Sequence, residues 1–382
     1  MPDRTATQRT IGYWAGRSSR VSLPYAVDCR KGLPPLSEKR RILVAGGYGV
    51  FGRLLAKELL ASTDVDLVIA GRRIERAEAA CAELGPGRTE PLALDLHDID
   101  AVRIAARDCW ALACTAGPFQ DLSVGLPAAA VDSGANWFDI SDDAGWVLPL
   151  LADASLHSAA VDAGVVVIPG LSSVPALSGV LARWCRERLP QGERARVILY
   201  VGNRNPKGSA AVASALMGGF RNPETVQLPI GTGRSYLVRS PDSALLRRDL
   251  GLEAEFRVAL EWGFAGRVAA GAGRLEPVIG VQAAEKLGRV LSGLATPVSR
   301  LGSDAGCLQV EIWDGAGQRV SSALIAGQRL AVLPCALGIK AALGGSLVRT
   351  GVLHPAEWQS LDEWAAMLEE RGVHVLSEGP GS

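Results

Sequence analysis

Short apolar runs alternate with helical patterns along the first half of the chain, beginning at Arg41. The apolar runs predict buried strands, and apolar residues spaced three or four apart predict amphipathic helices. The predicted strands are RILVAG, VDLVIAG, PLALDL, WALACTAG, NWFDIS and VVVIPG. The predicted helices are Phe51–Ala61, Ile74–Leu84, Asp100–Arg107, Leu122–Ser133 and Val147–Ala163. This alternation predicts an α/β fold, a Rossmann-type doubly wound parallel sheet with helices on both faces.

The pattern changes after about Pro175. ARVILYVG predicts a strand, and CLQVEIWDGAGQRVSSALIAG predicts two alternating strands joined by a turn at residues 314–317. Leu330–Val348 and Pro355–Arg371 predict closing helices. The second half is therefore expected to form an α+β domain with a mostly antiparallel sheet.

The chain of 382 residues is longer than a usual single domain, which favours two domains. We expect an N-terminal arm over residues 1–38, because this segment shows neither helical nor alternating periodicity. A dinucleotide-binding domain is expected over 39–175 and a substrate and dimerisation domain over 176–330. Residues 331–382 are expected to return to the first domain as closing helices.

Charge and cysteine content exclude several classes of partner. Forty basic residues balance forty acidic ones, so no basic surface for nucleic acid or an anionic membrane is indicated. The N-terminus has no apolar core of a secretory signal, and PGLSSVP interrupts the uncharged run 163–182, so we expect no stable membrane insertion. The seven cysteines are scattered without paired spacing, which is typical of reduced thiols in a cytoplasmic protein.

The segment VAGGYGVFG contains the spacing G-x-G-x-x-G at Gly47, Gly49 and Gly52. Gly47 would permit the tight turn from strand to helix, Gly49 would let a pyrophosphate approach the backbone, and Gly52 would let the helix pack closely. A bare glycine motif is also found in ordinary turns. Here it lies between a predicted strand and a predicted helix, which favours a dinucleotide site with the phosphates at the helix N-terminus.

The end of the second predicted strand indicates which dinucleotide binds. An acidic residue there would accept hydrogen bonds from the ribose 2′-hydroxyl of NAD, whereas an arginine would bind the 2′-phosphate of NADP. The sequence has AGRR, with Arg72 and Arg73 and no carboxylate before Glu75. Two guanidinium groups favour NADP(H), unless both are merely solvated surface residues.

Several motifs together indicate a family. Short-chain dehydrogenases require a Tyr-x-x-x-Lys pair, and none of the five tyrosines has a lysine four residues later. GGYGVFGRLLAKELL, AGRR, TAGPFQ, GLPAAAVDSGANWFDIS and PGLSSVPA, in this order, resemble the saccharopine dehydrogenase-like reductases. The resemblance is strongest over 41–176 and weakest over 180–330, where the family's substrate choice resides.

The resemblance and the glycine motif together give a set of expected cofactor-binding residues. They lie in the glycine turn, at the end of the second strand, and after the third and fourth strands. They are Gly47, Tyr48, Gly49, Val50, Phe51, Gly52, Arg72, Arg73, Asp95, Thr115, Ala116, Gly117, Pro118 and Phe119.

Hydride transfer mainly requires positioning of the nicotinamide against the acceptor carbon. Reducing a ketone also needs a proton donor, and the four histidines all lie in segments that predict surface positions. An iminium is already protonated, so the shortage of histidine favours C=N reduction. The candidate catalytic residues are Asp139, Ser141, Asp142, Lys207 and Tyr236. Alternatively, Ser141 or Asp142 caps the helix beginning near residue 145.

A carboxylate on the substrate would need cationic or polar anchors in the second domain. The candidate substrate-binding residues are Phe119, Gln120, Ser172, Asn203, Arg204, Arg234 and Arg239. The alternative is that each is a solvated loop residue, because loops collect charge for other reasons. No metal-ligand spacing occurs in the sequence, and no metal is predicted.

Three functions are consistent with the sequence. The first is an NADPH-dependent reductase acting on the C=N bond of a small amino-acid-derived substrate, as in saccharopine reductases. The second is a trans-acting enoyl reductase acting on a C=C bond, which would need a wide apolar groove in the second domain. The third is a non-catalytic NADP(H) sensor or scaffold. A homodimer formed through the second domain is also possible.

Overall fold

The computed structural model describes residues 40–205, 221–261, 302–347 and 349–379. The predicted arm over 1–38 and the candidate catalytic residue Lys207 lie outside the described residues. Two seven-stranded sheets dominate the part of the chain that is described.

The first sheet is entirely parallel in the order β13-β6-β5-β4-β1-β2-β3. Its strands are β1 Arg41–Ala45, β2 Asp66–Gly71, β3 Thr89–Ala93, β4 Ala111–Cys114, β5 Asn136–Asp139, β6 Val166–Ile168 and β13 Gly351–Val352. The chain winds outward in one direction from β1 to β3 and in the other from β4 to β6. The reversal leaves a crevice beyond the carboxyl ends of β1 and β4, where open parallel sheets bind ligands.

Six helices connect these strands. They are α1 Val50–Ser62, α2 Ile74–Leu84, α3 Ile99–Ala106, α4 Leu126–Asp132, α5 Ala144–Ala152 and α6 Ala154–Asp162. The single helix predicted over Val147–Ala163 is wrong, because Asp153 ends α5 and its carboxylate accepts the Ser155 and Leu156 N–H groups that begin α6. An aspartate side chain satisfies helix N-terminal amides in this way.

The second sheet is mixed and mostly antiparallel, in the order β14-β12-β11-β7-β10-β9-β8. Its strands are β7 Gly192–Val201, β8 Arg221–Leu228, β9 Gly231–Val238, β10 Glu253–Leu260, β11 Gly306–Asp314, β12 Arg319–Ile325 and β14 Leu376–Glu378. Strands β7 and β10 are parallel, and the other neighbouring strands are antiparallel. The predicted fold class, including the hairpin of β11 and β12, is confirmed.

Four further helices are α7 Ser178–Arg188, α8 Asp242–Leu250, α9 Leu333–Leu343 and α10 Leu361–Glu370. Helices α7 and α8 pack against the second sheet, and α9 lies against α1 of the first layer. One continuous apolar core therefore runs through both sheets. Residues after 331 contribute β13 to the first sheet and β14 to the second, and the domain limits 39–175, 176–330 and 331–382 stay predictions.

The six cysteines of the described part, Cys81, Cys109, Cys114, Cys185, Cys307 and Cys335, are free and buried. Burial raises the pKa of the Cys307 thiol to about 12, so this group stays protonated at neutral pH. These thiols pack as small apolar side chains. Cys29 lies outside the described residues.

A cluster of three charged residues joins α1 to segments far along the chain. Glu58 accepts a hydrogen bond from Arg329 Nε at 2.6 Å and another from Arg371 Nη2. The Glu58 side chain is only 11% exposed, and both guanidinium groups reach it from beyond residue 325. Burial alone would raise the pKa of Glu58, but the hydrogen bonds from the two arginines outweigh it and lower the pKa.

Replacing Glu58 with glutamine is expected to lower the free energy of unfolding by about 2 kcal/mol at neutral pH, since two arginines lose their shared carboxylate. The folded-state pKa lies below the unfolded value of about 4.3, so this stabilisation exists above pH 4.3 and is lost as the pH falls through the folded-state pKa. Urea unfolding at several pH values measures it. The matched control is Glu83→Gln, which breaks the exposed 3.0 Å pair with Lys57. A loss at Glu58 no larger than at Glu83 would contradict the prediction.

Candidate functional site

The turn after β1 lies in the crevice and contacts the turn after β4. Gly46 has a positive φ of +76°, and a Cβ there would lie 2.8 Å from the backbone nitrogen of Ala116. Gly46 adopts the left-handed conformation that favours glycine, and Gly47 lies in the same tight turn, where its N–H donates to the Val44 carbonyl at 3.1 Å. At Gly47 a Cβ would lie 2.8 Å from the Val44 carbonyl oxygen, so this glycine is required by close packing.

The start of α1 has the features of a phosphate site. A Cβ at Gly52 would lie 2.4 Å from the Gly46 carbonyl oxygen, whereas one at Gly49 would meet only that oxygen, at 3.0 Å, and is otherwise unobstructed. The helix has no side-chain cap and no acidic residue in its first turn. Its first N–H groups, including those of Val50 and Phe51, are therefore available to an anion. These residues fit the pyrophosphate of a dinucleotide.

Two cationic side chains follow the end of β2. Arg72 and Arg73 are exposed, and their guanidinium groups form no ion pair or hydrogen bond with any described residue. After β3, the exposed Asp95 accepts a hydrogen bond from the His97 backbone N–H at 3.1 Å, which fixes a local turn. Tyr48 is half-buried and lies over Gly71, the last residue of β2. Gly71 is therefore a further residue of the candidate site, which the glycine motif does not include.

The segment after β4 is fixed to both of its neighbours. Thr115 is buried, and its hydroxyl donates to the Ala45 carbonyl at 2.8 Å. Phe119 is buried against Trp146, with ring centroids 5.3 Å apart. Ala116, Gly117 and Pro118 lie between them at the crevice, and all three reach solvent. The structure thus brings the two predicted cofactor segments together, beside β1.

Asp139 ends β5 as a completely buried carboxylate. It accepts four hydrogen bonds, from Trp137 Nε1 at 2.8 Å, Trp146 Nε1 at 2.9 Å, Ser141 N at 3.0 Å and Gly170 N at 2.9 Å. Burial raises the pKa of Asp139, and the four hydrogen bonds oppose that shift. Because the carboxylate is enclosed and its oxygens are engaged, Asp139 positions the loops around it, and we correct its assignment as a catalytic residue.

The helix cap beyond β5 is Asp143, and neither Ser141 nor Asp142 serves as the cap. Asp143 Oδ1 accepts the Trp146 backbone N–H at 2.9 Å, and Asp143 Oδ2 accepts a hydrogen bond from Gln120 at 2.8 Å. Ser141 is buried, and its hydroxyl oxygen accepts the Asp143 backbone N–H at 3.2 Å. Asp143 therefore joins the loops after β4 and β5.

Asp142 remains available for chemistry. Its side chain reaches solvent, yet protein surrounds it. Loss of hydration raises the pKa of Asp142 to about 6, and the neighbouring charges of Asp143 and Asp242 add to the shift. Asp242 is itself buried and accepts the Ser178 hydroxyl at 2.6 Å. The carboxyl groups of Asp142, Asp143 and Asp242 thus lie near one another beyond the end of β5.

Three further candidate residues lie within structural contacts. The Tyr236 side chain is 1% exposed within β9, so its assignment as a catalytic residue is corrected. The Ser172 hydroxyl donates to the Ala331 carbonyl at 3.2 Å, which joins the segment after β6 to the segment after β12. The Asn203 backbone N–H donates to Glu261 at 2.7 Å and fixes the loop after β7.

The three candidate arginines do not converge. Arg204, Arg234 and Arg239 are all exposed, and Arg204 lies 3.9 Å from Asp304. Arg234 lies within β9 and Arg239 directly follows its end, so their Cα atoms lie roughly 17 Å apart. The role of each in binding a substrate carboxylate stays a prediction.

A polar cluster lies between α8 and the segment after β13. Ligand atoms of Asp249, His354 and Glu357 lie within 4.8 Å of one another. His354 Nε2 is 3.1 Å from Asp249, and its Nδ1 accepts the Ala356 N–H at 3.3 Å. The Nδ1 of His354 thus accepts a backbone N–H and its Nε2 faces Asp249, so the ring joins its own segment to α8. His354 is half-buried, so its predicted surface position is corrected.

None of the described helices combines the length and apolar character needed to cross a membrane. Residues 42–168 match the family model described as the saccharopine dehydrogenase NADP binding domain.

Solved structures extend the likeness beyond this domain. Apo saccharopine dehydrogenase (L-Glu forming) from Saccharomyces cerevisiae is similar with a TM-score of 0.63 at 15% identity, over 89% of this chain and 99% of that chain. GenD2 from gentamicin A biosynthesis, in complex with NAD, gives a TM-score of 0.39 at 16% identity, over 78% of this chain and 75% of that chain. Serine dehydrogenase from Escherichia coli gives a TM-score of 0.28 at 16% identity, over 34% of this chain and 80% of that chain.

The match of residues 42–168 and the fold shared with saccharopine dehydrogenase confirm the resemblance stated from the sequence motifs. The glycine turn and the uncapped α1 supply the matching site for a nicotinamide dinucleotide. Residues 42–168 therefore match the saccharopine dehydrogenase NADP binding domain, which supports an NAD(P)-dependent oxidoreductase.

Proposed function

We propose that this protein is an NADP(H)-dependent reductase that transfers hydride to the C=N bond of a small amino-acid-derived substrate. When bound, NADPH supplies the hydride. Gly49, Gly52 and the first turn of α1 would hold its pyrophosphate, and the Thr115–Phe119 segment would lie beside its nicotinamide.

The preference for the phosphorylated cofactor is supported by Arg72 and Arg73. Both guanidinium groups are exposed at the strand end and have no carboxylate partner among the described residues. A 2′-phosphate would offer them charge-assisted hydrogen bonds, whereas the hydroxyl of NAD would not. The family model is also described as an NADP binding domain.

The observation that carries the substrate proposal is the exposed Asp142 beyond the end of β5, with the carboxyl groups of Asp143 and Asp242 nearby. An iminium carries the positive charge that such a group attracts, while a conjugated acyl chain does not. The ionised Asp142 would hold the protonated nitrogen in place, and hydride addition to the carbon then yields an amine with no further acid. The shortage of histidine is consistent with this chemistry.

Turnover with defined acceptors tests the proposal. Purified protein is mixed with NADPH and pairs of an amine and an oxo acid, and in parallel with an enoyl thioester. Consumption of NADPH with an amine and oxo acid pair, but with neither compound alone, is the expected result. Turnover of the enoyl thioester alone would favour C=C reduction, and binding without any turnover would favour a sensor.

Replacing Asp142 with asparagine is expected to lower kcat/KM by about tenfold near neutral pH, comparable to one lost charged hydrogen bond. In the unaltered protein kcat/KM should rise as the pH increases through about 6, because Asp142 then ionises and attracts the iminium. The rise should be absent from the variant. Asp162→Asn is the matched control, because Asp162 is exposed at the end of α6, before the amino end of β6.

The direction of the pH dependence decides the role of Asp142. If activity instead fell as the pH rose through about 6, Asp142 would be acting as a proton donor, and the C=N assignment would be contradicted. The homodimer and the cytoplasmic location stay predictions from the sequence.

A further inference from the structure

Tyr48 and Gly71 share one space at the end of β2. A Cβ at position 71 would lie 2.4 Å from Tyr48 Cε1, 2.8 Å from Cζ and 3.0 Å from the hydroxyl oxygen. The tyrosine ring therefore occupies the place where a side chain of residue 71 would begin. Any residue other than glycine at 71 would have to displace the ring.

The tyrosine is held by packing and keeps its polar end available. Tyr48 is half-buried against the core and lies in the glycine turn, between Gly47 and Gly49. Its hydroxyl forms no hydrogen bond with the residues that the structure describes. The hydroxyl thus lies beside the strand end that leads directly into Arg72 and Arg73.

This strand end is where a Rossmann domain distinguishes its two cofactors. An acidic side chain here accepts a hydrogen bond from the ribose 2′-hydroxyl of NAD and repels the 2′-phosphate of NADP. A phenol carries no charge and can donate a hydrogen bond to phosphate oxygens. A phenol at this strand end, in place of a carboxylate, therefore favours NADP(H) over NAD(H), as the two arginines do.

We propose that Tyr48 is a specificity-determining residue: its ring excludes an acidic side chain from position 71, and its hydroxyl donates a hydrogen bond to the 2′-phosphate of NADP(H). The inference rests on the proposed preference for NADP(H). The Tyr48 hydroxyl would thus add a neutral hydrogen-bond donor from the glycine turn to the two guanidinium groups that follow β2.

Calorimetric titration with fragments tests the hydroxyl without any need for activity. The probes are 2′,5′-ADP, which keeps the 2′-phosphate, and 5′-AMP, which lacks it. Tyr48→Phe should weaken 2′,5′-ADP about tenfold, the lower value for a hydrogen bond to a charged group, and leave 5′-AMP within about twofold. Tyr200→Phe, in the second sheet, is the matched control. Equal effects of Tyr48→Phe on both probes, or no effect, would overturn the proposal.

The steric half of the proposal is tested at Gly71. Gly71→Ala places a methyl group in the space that the Tyr48 ring occupies, so the ring must move. The variant should reduce the affinity for 2′,5′-ADP at least as much as Tyr48→Phe does. The double variant Tyr48→Ala with Gly71→Asp should bind NADH more tightly than NADPH, which reverses the preference. Melting curves confirm that each variant is folded, and unaltered 2′,5′-ADP affinity in folded Gly71→Ala would contradict the steric role.

The Arg72→Ala, Arg73→Ala variant separates this inference from the proposed function. If that variant keeps full discrimination between 2′,5′-ADP and 5′-AMP, the proposed site of the 2′-phosphate fails. If that variant loses discrimination while Tyr48→Phe retains it, only the role of Tyr48 fails.

Discussion

Replacing Arg72 and Arg73 together with alanine should weaken NADPH binding by at least about a hundredfold and leave NADH binding within about twofold. Each guanidinium that binds the 2′-phosphate contributes a hydrogen bond between charged groups, worth about 1.5 to 3 kcal/mol. NADH has no phosphate at that position and should lose little. Fluorescence titration of both cofactors measures the two affinities.

The matched control for this pair is Arg107→Ala. Arg107 is also exposed, but it follows α3 and precedes the amino end of β4, whereas Arg72 and Arg73 follow the carboxyl end of β2. Its replacement should leave both affinities unchanged, which separates a local contact from a general change in charge. Equal losses of NADPH and NADH in the double variant would show that the arginines do not read the phosphate.

Replacing Asp139 with alanine should lower the free energy of unfolding by about 3 to 5 kcal/mol. Four buried N–H groups would lose their acceptor at once, including both indole nitrogens. Asparagine restores one acceptor oxygen but turns an amide NH₂ towards two of the donors. Its loss should therefore be intermediate, at about 2 kcal/mol. Urea unfolding monitored by tryptophan fluorescence measures both.

The same variants separate a structural role from a catalytic one. A positioning role predicts that folded Asp139→Asn retains measurable turnover, with loss of stability as the main effect. Full stability combined with complete loss of turnover would restore Asp139 as a catalytic group. Ser133→Ala, at the half-buried residue that follows α4, is a control that removes only a hydroxyl donor, and its effect on stability should be smaller.

Local patterns in the sequence predicted the first sheet well because each element carries its own signal. The helix predicted over Ile74–Leu84 has these bounds in the structure, and the hairpin turn at 314–317 joins β11 and β12. The split of α5 from α6 was missed although Asp153 and the preceding Pro149 are local signals. Helix α4 begins at Leu126, four residues later than predicted, because a short turn of helix at Phe119–Asp121 precedes it.

The site could be predicted only where its residues lie together in the motif. The template G-x-G-x-x-G begins at Gly47, so it hid Gly46, whose conformation depends on contact with Ala116 from another strand. Asp139 looked catalytic by position alone, since its enclosure depends on packing between β5, α5 and the segment after β6. The Glu58 cluster joins residues 271 and 313 positions apart, and no local pattern marks such pairs.

Transfer of deuterium from C4-deuterated NADPH tests the central claim most directly. The reaction is run with the amine and oxo acid pair that gives turnover, and the product is analysed by mass spectrometry and NMR. The account predicts one deuterium on the carbon that formed the C=N bond, with NADPH preferred over NADH. Deuterium on the carbon of a former C=C bond, or no transfer to any acceptor despite tight NADPH binding, would contradict it.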